Sequence, residues 1–125
     1  MRKSIFVATL MLAVAVFVQQ AMAHAFPDHA IPAVGGTVVQ TPSEIRIWFT
    51  QKLEPSFSGI EVLDAKGQRV DQADAKVDAQ DPTLLRISLK PLGAGTYKVV
   101  WHVVSVDTHA SQGDFTFSVK GQGAS

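Results

Sequence analysis

The stretch that decides the fold runs from Tyr97 to Val119, YKVVWHVVSVDTHASQGDFTFSV. Its first half alternates, with Tyr97, Val99, Trp101 and Val103 on one face of an extended chain and Lys98, Val100, His102 and Val104 on the other. Its second half sets Phe115, Phe117 and Val119 against Asp114, Thr116, Ser118 and Lys120. Successive side chains leave a strand on opposite sides, so a period of two marks strands buried on one face. Between the two strands lies a short turn carrying Asp107-Thr108-His109. Aspartate and threonine are ordinary turn formers. A carboxylate and an imidazole two residues apart can also point the same way from an extended backbone. Sandwich packing does not call for that pair, and the turn is read as a metal-holding element.

Outward from this hairpin the chain repeats the pattern. Glu44 to Thr50 places Ile45, Ile47 and Phe49 inward and Arg46, Trp48 and Thr50 outward, and Leu84 to Leu89 places Leu85, Ile87 and Leu89 inward. Gly59 to Leu63 is a further strand, closed by the hairpin turn Asp64-Ala65-Lys66-Gly67 that returns through Gln68 to Val70. Ala25 to Gly36 reads as an extended lead-in strand and a turn, and Val38-Val39 as a short strand broken by Thr41-Pro42-Ser43. Asp71 to Asp81, with four aspartates, reads as a solvated loop with a weak strand near Val77. It lacks the glycine and the final glutamate of a calcium-binding loop. Tyr97, just past the turn Pro91 to Gly95, is placed as in the tyrosine corner of Greek-key sandwiches. No segment has a helical period. About seven short strands over roughly 100 residues predict an all-β fold, an antiparallel Greek-key sandwich or barrel of immunoglobulin-like type.

The N-terminus reads as a removable export signal. Met1-Arg2-Lys3 is a short positive region, Ile5 to Val18 an apolar run, and Ala21-Met22-Ala23 a small-x-small cleavage site. Domain organisation follows as a signal peptide over 1–23 and one β-sandwich over 24–125. Cleavage after Ala23 makes His24 the first residue, and its free amine and imidazole Nδ1 can then chelate one ion together. With Asp107 and His109 the set becomes three nitrogens and one oxygen, a tetragonal donor set that suits Cu(II), one ion per chain.

Composition narrows the alternatives. Of eleven Lys and Arg, Arg2 and Lys3 lie in the signal segment, leaving nine against eleven Asp and Glu. A slightly acidic domain is not one that binds nucleic acid or anionic membrane by bulk charge. Cysteine is absent, which excludes thiolate metal sites, and Met1, Met11 and Met22 all precede His24, so the exported domain has no thioether to select Cu(I). No second apolar stretch of spanning length follows the first, which predicts no membrane insertion after cleavage. Secondary candidates for the site are His29, in the lead-in segment, and His102, on the outward parity of its strand. Gln51 and Glu54, in the segment that follows Phe49, could each offer an oxygen. Trp48, also outward, calls for a cover.

Several of these residues also carry a family resemblance. His24-Ala25, Pro32-Ala33-x-Gly35, the run IRIWFTQKLEPSFSGIEVLDAKG, and Tyr97-x-Val99-x-Trp101-x-Val103-Val104-Ser105-x-Asp107-x-His109 through Gly113-x-Phe115-x-Phe117-x-Val119 resemble the CopC-type periplasmic copper-resistance proteins. The resemblance implies a seven-stranded cupredoxin-like or immunoglobulin-like sandwich in the periplasm, binding Cu(II) through His24, Asp107 and His109. It also implies hand-off to an inner-membrane transporter of the CopD type. Two departures stand out: Gln51 replaces a glutamate common in the family, and the Met-rich segment of Cu(I)-binding members is missing, which marks a Cu(II)-only subtype.

The expected function is therefore a monomeric, non-enzymatic copper carrier or buffer. The alternatives are a copper-dependent oxidative enzyme built on an N-terminal histidine chelate, and a metal-free interaction module. A fold alone does not separate these classes.

Overall fold

The computed structural model describes residues 24–121, so the expected signal segment and its cleavage point lie outside the described residues. Wherever the sequence alternates, the chain pairs into strands: β1 (Pro27–Ile31), β2 (Thr37–Val38), β3 (Glu44–Phe49), β4 (Gly59–Leu63), β5 (Lys76–Val77), β6 (Leu84–Ser88), β7 (Gly95–Val104) and β8 (Ala110–Val119). A 3-10 turn, Pro55–Phe57, lies between β3 and β4. The strands form two four-stranded sheets, ordered β1-β3-β6-β5 and β2-β8-β7-β4. All pairs are antiparallel except β2 with β8. The expected β-sandwich is what forms. Among the described residues the count is eight, against about seven expected, and the two short strands read near Val38 and Val77 form as β2 and β5, two residues each.

The inward residues of the two sheets meet as one core. Ile45, Ile47 and Phe49 of β3 and Leu85 and Ile87 of β6 face Val99, Trp101 and Val103 of β7 and Phe117 of β8. Phe49 meets Trp101 edge-on, with ring centroids 5.2 Å apart at 72°, an arrangement worth about 0.5–1.5 kcal/mol beyond the burial of area. The Tyr97 hydroxyl donates to Gly93 O at 2.7 Å, closing the corner that the sequence suggested.

The longest pairing is β7 with β8, in unbroken register from Gly95↔Val119 to Val104↔Ala110. Within it Trp101 lies opposite Gly113. A Cβ on Gly113 would stand 2.6 Å from Cζ2 and 3.0 Å from Cε2 of Trp101. Gly113→Ala must therefore displace an indole that is only 6% exposed. It is expected to cost about 1–3 kcal/mol through overpacking, measurable by urea unfolding.

The aspartate-rich stretch departs from the expectation of a solvated loop. Asp71 is 3% exposed. Its carboxylate accepts from Val62 N–H at 2.8 Å and Ala73 N–H at 2.9 Å, and from the Arg69 guanidinium at 2.7 and 3.1 Å. A buried carboxylate is tolerated because all of these donors converge on it. Asp78 and Asp81 accept from nearby backbone N–H groups as turn formers, while Asp74 accepts from Ser88 N–H at the end of β6 at 2.8 Å.

Burial alone would push the Asp71 carboxyl up. Arg69 and the N–H groups of Val62 and Ala73 outweigh burial and hold it below its ordinary value. A depressed folded value means that the contact stabilises the fold above the unfolded pKa, about 3.9, and is lost as pH falls through the folded value. Asp71→Asn is expected to lower stability by about 1–3 kcal/mol at neutral pH. The gap to the parent protein should narrow below about pH 4, which urea unfolding across pH will show.

Candidate metal site

The site is built where the β7–β8 ladder ends. Past Val104 the chain must reverse, and Ser105 to His109 makes the turn: Ser105 N–H donates to His109 O at 3.0 Å and Thr108 N–H to Ser105 O at 2.9 Å. Thr108 takes a positive φ of 73°, the left-handed region that non-glycine residues rarely adopt. The segment leaving β3 supports the turn from beside it, with Val106 N–H on Lys52 O at 3.0 Å and Glu54 N–H on Val104 O at 2.7 Å.

Asp107 and His109 project from this turn, about half exposed, with Asp107 Oδ1 3.5 Å from His109 Nδ1. The Ser105 hydroxyl donates to the same Oδ1. That hydrogen bond foremost, then His109, holds the Asp107 carboxyl below the usual carboxylate range.

His24 arrives from elsewhere in the chain. Ala25 is fully buried and belongs to the core. Next to it Phe26 N–H donates to Thr50 Oγ1 at 3.0 Å and Thr50 N–H to Phe26 O at 2.8 Å. With Ala25 anchored, the His24 ring stands 5.3 Å from the His109 ring, centroid to centroid, at 70°. It also meets Phe26 edge-on at 6.3 Å. Three residues singled out from the sequence, His24, Asp107 and His109, thus come together at one end of the sandwich.

The other histidines do not join them. His29 stacks flat on Trp48, centroids 4.4 Å apart and planes at 9°, and its Nδ1 lies 2.9 Å from Asp28 Oδ2. It thereby provides the cover that Trp48 needed. His102 lies on the outer face of β7 against Gly59, the residue opposite it on β4. Gln51 and Glu54 are half-buried in the segment that braces the turn.

Two positions escaped the sequence reading. Ala25 carries no chemistry, only a burial that places its neighbour. Ser105 did leave a signal: it continues the inward face of Tyr97, Val99, Trp101 and Val103, and is the polar residue on that buried face.

Among the described residues no three His, Asp or Glu side chains are already converged around one point. His109 is the common neighbour, with the His24 imidazole on one side and the Asp107 carboxylate on the other. They form a nitrogen-rich, sulfur-free set, and a chain beginning at His24 would add an amine. Imidazole donors suit Cu and Zn, whereas sites made of oxygen donors suit Mg and Ca.

A depressed Asp107 pKa favours the folded state above the ordinary carboxylate value, and that preference fades as pH falls through the folded one. In the metal-free protein the Asp107 carboxyl carbon should titrate with a midpoint below about 3.9, as followed by 13C NMR.

Comparison with known proteins gives the family. The family model described as the CopC domain matches residues 28–120. Protein YobA of Escherichia coli K12 is 41% identical over 102 residues, covering 78% of this chain and 80% of YobA. Copper resistance protein C of Xanthomonas campestris pv. juglandis is 36% identical over 121 residues, covering 91% and 95%. The crystal structure of CopC from Methylosinus trichosporium OB3b superposes with a TM-score of 0.74 at 31% identity, over 79% of this chain and 96% of that one. A family match across most of the chain, supported by relatives of this identity and coverage, places the chain in the CopC family.

Proposed function

We propose that this protein is a periplasmic copper-binding protein of the copper-resistance type, which holds one Cu(II) ion through His24, Asp107 and His109 and carries or buffers it as cargo. One observation carries the reading: the fold gathers His24, from the start of the described chain, beside the Asp107-Thr108-His109 turn, with the two imidazoles 5.3 Å apart. The comparisons support the coarser part, since a relative alike over nearly its whole length bears the name copper resistance protein C.

Removal of residues 1–23 belongs to the same proposal, because it frees the His24 amine as a ligand and delivers the domain to the compartment where such a carrier works. The donor set suits Cu(II), which binds nitrogen and oxygen donors more tightly than other divalent first-row ions. No sulfur lies within the described residues to favour Cu(I). In this reading an inner-membrane transporter of the CopD type receives the ion.

Cu(II) titration of the exported, processed protein, its N-terminus verified by mass spectrometry, tests the reading beside a version with one extra alanine before His24. The added residue is expected to rewrite the electron paramagnetic resonance spectrum and weaken binding, as is His109→Ala. Unchanged affinity and spectrum in both would overturn the assignment. Nitrogen ligands must lose protons to bind, and free imidazoles and α-amines take them up near 6.5 and 8, so affinity should fall steeply below about pH 6.

A further inference from the structure

We propose that Ser105 is the positioning residue of this site: its buried hydroxyl grips one oxygen of Asp107, so that the carboxylate meets the ion as a single, oriented donor. The inference rests on the copper-site reading above and adds to it a residue that touches no metal.

Ser105 is fully buried, and a buried hydroxyl has to be partnered. All of its partners are in the turn. It donates to Asp107 Oδ1 and accepts from His109 N–H at 3.3 Å. His109 O also lies 3.4 Å away. A hydroxyl has one proton, and the charged carboxylate is the stronger acceptor. Ser105 therefore touches both residues whose side chains form the turn's half of the site.

Packing gives no reason for a hydroxyl here. The preceding residues on this face are Tyr97, Val99, Trp101 and Val103, and a small apolar residue would continue the core equally well. The hydroxyl instead serves side chains that have little else to hold them. The Asp107 side chain is 52% exposed and that of His109 47%, and an exposed carboxylate left alone samples several rotamers. The oxygen that Ser105 holds, Oδ1, is the one 3.5 Å from His109 Nδ1, so the hydrogen bond fixes the carboxylate beside that imidazole. The same residue steadies the backbone, since Ser105 O accepts Thr108 N–H beside the left-handed Thr108. A left-handed non-glycine residue persists only where its surroundings hold it.

A double-mutant cycle tests this in the exported, processed protein. Cu(II) affinity, from competition with a chelator, and paramagnetic resonance spectra are recorded for the parent, Ser105→Ala, Asp107→Ala and the double variant. Ser105→Ala is expected to weaken binding about 10–100-fold, the usual cost of losing a ligand's hydrogen-bond partner, and to change the spectrum. In the Asp107→Ala background it should cost nothing further. Equal cost in both backgrounds, or an unchanged spectrum, overturns the role of Ser105 while leaving the copper site standing. A parent protein that binds no Cu(II) overturns both. Should Ser105→Ala fail to fold, NMR of the metal-free parent decides: a Ser105 hydroxyl proton protected from exchange and close to Asp107 supports the inference, and one that exchanges freely with water overturns it.

Discussion

The antiparallel ladder between β7 and β8 is the constraint on which the rest of the molecule depends. It runs from Gly95↔Val119 to Val104↔Ala110 without a break. Its inward side chains, among them Val99, Trp101, Val103 and Phe117, form the second sheet's half of the core. A slip of one residue would turn every side chain of a strand to the opposite face. It would expose Phe115 and Phe117 and bury Asp114 and Thr116 in their place. The burial of the core therefore locks the register, and the register decides which five residues become the turn. Ser105 faces inward and Asp107 and His109 face out because the aromatic residues further down the ladder cannot be exposed.

The four histidines show how differently one residue type is used on a single sandwich. His29 lies flat against Trp48 on the outer face of the first sheet, where a planar ring shields an indole from water. His102 lies over Gly59, filling the space that glycine leaves beside the edge strand β4. Trp101 and Gly113 make a similar aromatic–glycine pair on the inner face. Only His24 and His109 stand ring to ring. Their meeting joins the start of the described chain to its last hairpin, and the burial of Ala25 in the core anchors the backbone beside His24.

Charge in this protein is mostly turn chemistry. The aspartates between β4 and β6 accept backbone N–H groups, and Asp71, fully enclosed, fixes the strap between Val62 and Ala73. Asp107 belongs to the same class of turn carboxylate, held by a hydroxyl two residues before it. It differs in where it stands: half exposed, at the end of the longest hairpin, beside the His109 imidazole.

The sequence by itself determined the strands, their inward faces, the tyrosine corner and the Asp107-Thr108-His109 turn. These are local matters, since a period of two and the preferences of turn residues act over a few positions of the chain. Strand pairing lay beyond it: nothing local says that β2 runs parallel to β8, or that the two-residue β5 completes the first sheet. Nor does an aspartate among three others announce that it is buried, because burial depends on donors from Val62 and Arg69 that only folding brings to it. The site divides the same way. Its donors were legible as residue types. That His24 would reach His109 across 85 positions of chain, while His29 and His102 would not, was decided by the tertiary structure, where the depth of Ala25 and the register of one hairpin set which side chains share a space.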